Sequence, residues 1–284
     1  MMETAPSVRE GILPEAKSGA HGLSGWSLPG HGEAYHDCGQ KRYRGCLNVS
    51  EHPGGLDREP GLAYVQVYPR RCFRAVCPKC YESWAGREAG RAEHRLQGYR
   101  PRTARGVIHL SVSVPSKDWS LPYGRLRPRA YEVARAAGFK GGCSIFHPWR
   151  EDEETGVWSL GPHFHMLGFG WIAGAEKVHE ATEWVVKNLG LRKSVSATLL
   201  YQLSHAGIHG DFHTVTWFGA LAYDKLKVEA MEPEKPTCPL CKAELTPLLW
   251  MAELGDPPGD VGCYFLERGG WVQRSLRSPF QPSI

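Results

Sequence analysis

The sequence lacks the long apolar stretches and the leader expected of a membrane or secreted protein. No uninterrupted apolar run approaches the ~18 residues that a membrane-spanning helix needs. The first thirty residues are rich in Gly, Ser and Pro, without the charged head and apolar centre of a signal peptide. The sequence therefore predicts a cytoplasmic protein that makes no contact with a membrane.

Two further absences limit the kinds of binding site and cross-link that we expect in the chain. No Gly-x4-Gly-Lys-Ser/Thr pattern occurs in the chain, so it has no phosphate-cradling loop of that kind. The nine cysteines cannot all pair as disulfides, because their number is odd. Two Cys-x2-Cys pairs among them indicate metal binding in a reducing cell.

What is present suits a globular protein with an anionic partner. The 284 residues are 42% hydrophobic, enough for one large domain or two smaller ones with a core. The net charge of +4 is unevenly spread, because residues 70–105 carry ten Arg or Lys against three Glu, a local balance of +7. This concentration favours a polyanionic partner. The ten are Arg70, Arg71, Arg74, Lys79, Arg87, Arg91, Arg95, Arg100, Arg102 and Arg105.

The first cysteine knuckle is formed by Cys77 and Cys80. Two thiolates at this spacing supply two of the four ligands of a tetrahedral zinc ion. We predict that Cys72 and Cys46 complete the set, and that the zinc is structural, since no acid or base nearby suggests an open position. Buried cysteines without metal are the alternative. Other candidate ligands are Cys38, His36 and His52.

A second knuckle lies near the end of the chain, at Cys238 and Cys241. It predicts a second zinc site by the same spacing argument. Its remaining ligands are open, with three residues within plausible reach: Cys263, His209 and His213.

A helix is predicted directly after the first knuckle, over residues 81–97. Arg87, Arg91 and Arg95 follow one stripe at i, i+4 and i+8, which suits a DNA phosphate backbone. The alternative is a solvated face with Glu88 and Glu93 as local partners. The residues predicted to pack are Trp84, Ala85, Ala89, Ala92 and Leu96.

Strand and helix patterns alternate through the middle of the chain. Together they predict an α+β fold with four parts: a loose segment (1–35), a zinc-binding basic region (36–105), a core (106–230) and a C-terminal extension (231–284). The region before the first knuckle holds a basic loop at 39–45 and a strand at 62–68. In the core, strands are predicted at 106–115, 142–150, 157–169, 183–189 and 214–222, with helices at 124–137 and after Ser194 or Ser196.

His163 and His165 flank Phe164 in the strand at 157–169. Successive strand residues point to opposite faces, so the two imidazoles share one face and can hold one metal ion. A hairpin turn centred near residue 155 would place His147 directly opposite His163 as a third ligand. Other candidates for the third ligand are Glu153, Glu154 and His109.

Tyr201 lies on the polar face of the helix that follows Ser194. A tyrosine beside a cation and a base such as His205 is suited to nucleophilic attack on phosphorus. Tyr223, beside Lys225, is the alternative nucleophile, and a half-buried structural tyrosine is the non-catalytic alternative. The helix is predicted to pack through Leu199, Leu200 and Leu203 and to expose Tyr201, Ser204 and His205.

These residues resemble the HUH endonucleases, and more closely the rolling-circle replication initiators of archaeal plasmids and viruses. The resemblance covers roughly residues 38–245. It rests on His163-Phe164-His165, on Tyr201 about 36 positions later, on the strand 108–115, on the Cys77/Cys80 knuckle with its arginine helix, and on residues 217–221 before the second knuckle.

The resemblance implies a central antiparallel sheet flanked by helices, as in RNA-recognition-motif-like nuclease cores. It implies Mg²⁺ or Mn²⁺ on the histidines, attack by a single tyrosine on single-stranded origin DNA, and a 5′-phosphotyrosyl linkage. Helicase and polymerase would be host proteins acting in trans. The family's tyrosine element has a lysine three residues later, where this chain has Ser204 between Leu203 and His205.

Three other functions remain open. Relaxases and HUH transposases share the chemistry of the initiators. A zinc-stabilised nucleic-acid-binding protein without catalysis would need only the knuckles and the arginine helix. Hydrolysis by water at the same histidines would cut DNA without any covalent adduct.

Overall fold

The computed structural model describes residues 24–54, 59, 61–99, 106–152, 154–232, 235–257 and 259–274. It divides the chain into two compact units, unit 1 (Met1–Ala34 and Phe73–Met231) and unit 2 (Tyr35–Cys72 and Glu232–Ile284). The predicted parts followed one another along the chain, whereas unit 2 combines two distant segments. Residues 1–23 of the predicted loose segment, together with Arg100, Arg102, Arg105 and Glu153, lie outside the described residues.

Ten strands and four α-helices occur within the described residues. In chain order they are β1 (Lys41–Cys46), β2 (Ala63–Pro69), α1 (Tyr81–Gly98), β3 (Ile108–Ser113), α2 (Tyr123–Ala136), β4 (Phe139–Glu151), β5 (Trp158–Gly170), α3 (Ala175–Thr182), β6 (Val185–Leu191), α4 (Val195–Ser204), β7 (Val215–Gly219), β8 (Thr246–Trp250), β9 (Gly262–Leu266) and β10 (Trp271–Gln273). None of these helices is long and apolar enough to cross a bilayer.

Unit 1 is built on an antiparallel sheet with strand order β6-β3-β5-β4-β7. The predicted α+β class is therefore confirmed at this level. Because side chains alternate along β5, Phe164 and Met166 join the core that includes α2 and α3. Leu167 and Phe169 point to the other face and join the core that includes α1 and α4. The histidines of β5 share that second face.

Helix α1 begins directly after Cys80 and ends before Tyr99, whose backbone is extended. The packing residues predicted for it are confirmed, since its five buried residues are Trp84, Ala85, Ala89, Ala92 and Leu96. Leu96 is 1% exposed. Burying a side chain of this size contributes about 1.5–3 kcal/mol, which fixes this face of the helix on the sheet.

The β4–β5 hairpin sets the register of the histidines. His147 pairs with His163, as predicted, but Trp149 pairs with Leu160 and Glu151 with Trp158. The turn is thus centred half a residue earlier than predicted, and a β-bulge on the β5 side between these pairs restores the register. Without the bulge, His147 would face Pro162 and the two histidines would lie on opposite faces.

Several predicted elements differ in detail. Helix α3 lies in a stretch that was not assigned to any element, and β6 begins at Val185 rather than at residue 183. Ser194 caps α4, because its hydroxyl accepts a hydrogen bond from the Ala197 amide. Leu199 and Leu203 are fully buried, but Leu200 is 43% exposed, contrary to the prediction.

Unit 2 contains a second antiparallel sheet, with strand order β10-β8-β1-β2-β9. Its central strand is β1, which contains residues 41–45 of the predicted basic loop. Strands β8, β9 and β10 were not predicted, because their short segments carry little periodicity. One face of the sheet packs around Val65, Leu248 and Trp271.

Candidate active site and metal clusters

Three histidines of the β4–β5 hairpin converge on one point. His147, His163 and His165 each offer a ring nitrogen, and these nitrogens all lie within 4.8 Å of one another. His147 and His163 are both 5% exposed. The ring centroids are 4.7 to 5.1 Å apart. The hairpin therefore supplies three ligands from two adjacent strands, and we call this set the histidine cluster.

Backbone carbonyls fix the orientation of two of these rings. His163 Nδ1 lies 2.8 Å from the Gly161 carbonyl oxygen and His147 Nε2 lies 2.9 Å from that of Gln202. A carbonyl only accepts, so both nitrogens carry hydrogen, and the opposite nitrogen of each ring keeps its lone pair. Such second contacts are typical of metal-binding histidines.

The third ring contacts another histidine. His165 Nδ1 lies 2.8 Å from His109 Nε2 on β3. For His165 to bind a metal through Nε2, its Nδ1–H must donate to His109, which then carries its own hydrogen on Nδ1. That Nδ1 is buried and has no hydrogen-bond partner among the described residues. His109, a candidate third ligand in the sequence, thus lies behind the cluster and contacts one of its members.

Burial keeps the cluster uncharged. Desolvation, assisted by the nearby Arg150, lowers the pKa of His163 to about 4. Burial lowers the pKa of His147 and His165 well below the ordinary value, and neighbouring histidines add to the effect. Neutral imidazole is the form that binds metals.

The donor set distinguishes between the predicted ions. No carboxylate belongs to the group among the residues that the structure describes. Imidazole nitrogens suit transition ions, whereas Mg²⁺ prefers oxygen ligands. The three nitrogens therefore fit Mn²⁺ better than Mg²⁺. Glu154, another candidate ligand, lies in the exposed turn, where its amide donates to Asp152.

Tyr201 lies on the helix that contacts the histidine cluster. The Gln202 carbonyl that accepts from His147 belongs to the next residue of α4. The Tyr201 side chain is 62% exposed, and its ring centroid lies 4.9 Å from that of His205. His205 also stacks on Trp158 at 5.9 Å, and Trp158 begins β5. The structure thus brings Tyr201 and His205 to the hairpin that carries the three histidines.

Tyr223 lies toward the other end of the sheet. It follows β7, whose last residue Gly219 pairs with Gly141. His147 lies six positions beyond Gly141 in β4, which is roughly 20 Å along a strand. The Tyr223 ring lies under the Arg95 guanidinium at 4.5 Å, and Lys225 is exposed in the same segment. The structure therefore does not bring Tyr223 to the histidine cluster.

The three arginines of the stripe on α1 make different contacts. Arg95 Nη2 lies 2.8 to 3.2 Å from the carbonyl oxygens of Leu221, Ala222 and Leu226, so its guanidinium is occupied by the protein itself. These contacts favour a structural role for Arg95, and DNA binding by the arginines of α1 stays a prediction. Arg91 pairs with Glu88 at 2.8 Å, and the half-exposed Arg87 lies over the Phe73 ring at 4.5 Å.

The prediction that Cys46 joins the first knuckle is wrong, because Cys46 belongs to another cluster. Cys77 and Cys80 are both buried in unit 1, and Cys80 directly precedes α1. Two thiols at this spacing supply two of the four ligands of a tetrahedral zinc ion.

Cys46 instead joins the second knuckle in unit 2. The second cluster comprises Cys46, His52, Cys238 and Cys241. His52 Nε2 lies 3.4 Å from the sulfur of Cys238 and 3.4 Å from that of Cys241, and the sulfurs of Cys46 and Cys241 are 3.6 Å apart. His52 Nδ1 donates to the Leu62 carbonyl at 2.7 Å, which directs Nε2 to the cluster.

The three residues considered as partners of the second knuckle lie elsewhere. Cys263 accepts a hydrogen bond from the Tyr64 hydroxyl at 3.1 Å, and the His209 ring packs on Trp26. His213 lines a cavity of about 660 Å³ with residues of α1. The spacing of the knuckle located two ligands, and only the fold located Cys46 and His52.

Searches of protein-family models, curated proteins and solved structures find no match to this chain.

Proposed function

We propose that this protein is a rolling-circle replication initiator of the HUH type. It would nick and rejoin single-stranded DNA at a specific site and on one strand, with Tyr201 as the nucleophile. The observation that carries the proposal is the hydrogen bond from the buried His147 to the backbone of α4, next to Tyr201. This contact joins the histidine cluster to α4 at Gln202, and the residue before Gln202 is Tyr201, whose phenol is exposed.

In the proposed reaction, His147, His163 and His165 would hold a divalent ion, preferably Mn²⁺. When bound there, it would supply Lewis-acid polarisation of a phosphoryl oxygen. Three protein ligands leave positions open for substrate, as in catalytic rather than structural sites.

Tyr201 then attacks phosphorus in line with the leaving group. Its phenol gives up a proton to His205, the Tyr201 oxygen–phosphorus bond forms, and the bond from phosphorus to the 3′ oxygen breaks. The 3′ oxygen takes up a proton and becomes a 3′-OH that can prime synthesis. Because the phosphotyrosyl ester conserves the bond, a 3′-OH can later rejoin the strand by the reverse attack.

His205 is assigned the base role because of its position. Its ring is the imidazole next to Tyr201, and Ser204 Oγ and the Tyr201 carbonyl lie 3.0 and 3.1 Å from its Nδ1. A hydrogen on Nδ1 leaves Nε2 free to accept a proton. His205 is four positions after Tyr201, and the HUH family has a lysine three positions after its tyrosine.

Structural Zn²⁺ is assigned to the Cys77/Cys80 knuckle and to the Cys46 cluster. The Cys46 cluster offers four ligands and no open position, which is the usual arrangement of structural sites. Single-stranded origin DNA would be the substrate, and helicase and polymerase would act in trans, because the chain carries no Gly-x4-Gly-Lys-Ser/Thr loop.

The test uses single-stranded DNA oligonucleotides of random sequence, labelled at one end, with Mn²⁺. A 5′-phosphotyrosyl linkage retains the fragment on the 3′ side, so 3′-labelled DNA should give a labelled protein on a denaturing gel and 5′-labelled DNA should not. Tyr201→Phe and His163→Ala should abolish this adduct, and Tyr223→Phe, the matched control, should retain it.

Other outcomes would point elsewhere. An adduct lost only in Tyr223→Phe would move the nucleophile. Nicking without an adduct would indicate hydrolysis by water. No cleavage with any divalent ion, together with DNA binding unchanged in His163→Ala, would favour a zinc-stabilised nucleic-acid-binding protein.

A further inference from the structure

One face of the unit 2 sheet carries exposed or half-exposed side chains on all five strands, apart from the end where Cys46 and Tyr64 are buried. The strand register puts Val272, Leu249, Arg42 and Tyr68 on it, one from each of β10, β8, β1 and β2. A second row on the same face comprises Arg44, Gln66 and Cys263, and Phe265 lies on it two residues beyond Cys263 in β9. We call these eight residues the five-strand face.

The five-strand face exposes large apolar side chains. Leu249 is 46% exposed, Val272 40% and Phe265 39%. The opposite face of the sheet is packed around Val65, Leu248 and Trp271, so this exposure does not reflect an unfinished core. Exposed apolar groups gathered on one surface, with polar groups between them, mark interaction sites.

Arginines lie among these apolar groups and favour an anionic partner. The Arg44 guanidinium lies 4.9 Å from the centre of the Tyr68 ring, and its Nε donates to Gln66 at 2.6 Å. This contact places a guanidinium group and an aromatic ring next to each other on the five-strand face. Arg42 lies 3.9 Å from Asp37, which also binds Arg70, so two arginines share one carboxylate.

A cleft of about 500 Å³ adjoins the five-strand face. Like the face, the cleft carries more positive than negative side chains. Its basic residues are Lys41, Arg42 and Arg274, against one acidic residue, Asp256. Lys41 also pairs with the nearly fully exposed Asp260, a surface ion pair that contributes little. Tyr68 and Trp250 supply aromatic walls, and Trp250 is fixed by a hydrogen bond to the Gly255 carbonyl at 2.9 Å.

We propose that the five-strand face and its cleft form a binding surface for single-stranded nucleic acid. Basic side chains hold the phosphates, while Tyr68, Trp250 and Phe265 offer flat surfaces for unpaired bases. A duplex keeps its bases stacked on each other and would use only the charges. The proposal does not depend on nicking, because the surface contains no residue assigned to the reaction.

The test measures binding of a fluorescein-labelled dT20 oligonucleotide by anisotropy, in the full chain carrying His163→Ala so that the DNA stays intact. The double variant Arg42→Ala/Tyr68→Ala should bind ~10-fold more weakly or worse, since it removes one stacking surface and one positive charge. Lys235→Ala is the matched control, because it removes one exposed charge of the same unit outside the sheet. Equal affinity of the double variant and the control would overturn the proposal.

Photocrosslinking of the unmutated face to 4-thiothymidine DNA provides a second measurement that does not depend on how the variants fold. Crosslinks are expected in β1, β2, β8 or β9. Crosslinks confined to residues 73–231 would overturn the proposal, as would a duplex of the same length that competes as well as the single strand.

Discussion

The histidine cluster of unit 1 and the Cys46 cluster of unit 2 differ in donor atoms and in number of ligands. The first offers three imidazoles and the second three thiols with one imidazole. Three ligands leave positions open, and an exposed tyrosine follows on the contacting helix. Four ligands complete a tetrahedron. The number and type of ligands therefore suit the histidine cluster to catalysis and the Cys46 cluster to stabilising the fold.

The two clusters also differ in what holds them together. The histidines lie on one hairpin, and backbone carbonyls orient two of them, so the strands preorganise the site. The Cys46 cluster joins residues 195 positions apart in sequence. Because its ligands come from distant segments of the chain, metal binding should contribute more to its folding.

The largest expected effect is on the Cys46 cluster. Cys238→Ser should remove one zinc ion per chain and destabilise unit 2 by several kcal/mol, because zinc binding in such small sites is coupled to folding. Zinc stoichiometry and urea unfolding followed by tryptophan fluorescence measure both effects. Cys263→Ser, in the same unit but outside the cluster, should keep the zinc. If Cys238→Ser also keeps the zinc, the Cys46 cluster is not a four-ligand zinc site, and its contrast with the histidine cluster is wrong.

An intermediate effect is expected from acid on metal-free protein. Burial lowers the pKa of His163 from 6.5 to about 4, so between these values the unfolded chain binds a proton that the folded chain excludes. Stability contributed by neutral His163 is therefore present above pH 6.5 and is lost as the pH falls toward 4, amounting to ~3 kcal/mol.

Urea unfolding in a chelator at pH 7, 6 and 5 measures this loss in unit 1. His163→Gln, which cannot titrate, should show a shallower dependence on pH than the parent. Parallel curves for the parent and the variant would contradict the assignment of a buried neutral imidazole.

The smallest effect concerns the arginines of α1. Arg95→Ala should destabilise unit 1 by about 1–3 kcal/mol, because the part-buried carbonyls of Leu221 and Leu226 lose the hydrogen bonds that they accept from Arg95. Arg91→Ala removes an exposed pair with Glu88 and should cost no more than ~1 kcal/mol. Thermal unfolding of both variants measures the difference. Equal losses would show that Arg95 does not anchor the segment at 221–226.

Local patterns in the sequence predicted much of unit 1. Helical spacing found the buried face of α1, because residues three and four apart share a face whatever the rest of the chain does. Hairpin arithmetic found the pair His147 and His163, although the turn was misplaced by half a residue. A β-bulge compensated for that error, and no pattern in the sequence indicates where a strand bulges.

Unit 2 was less predictable because its contacts are long-range. Cys46 was assigned to the first knuckle, which is near in sequence, whereas its partners Cys238 and Cys241 lie at the other end of the chain. Strands β8, β9 and β10 are 3 to 5 residues long and gain their structure by pairing with β1 and β2 or with each other. Short segments of this kind have little intrinsic preference.

Because unit 2 combines two segments that are far apart in sequence, its parts are synthesised at different times. His52 is separated from Cys238 by 186 positions, so at ~5–20 residues per second it leaves the ribosome roughly 10–40 s before its partner. Phe73–Met231 emerges within that interval and can fold first. The nascent chain therefore carries Cys46 without its partners until Cys238 and Cys241 emerge, and the Cys46 cluster can close only after residues 73–231 have been synthesised.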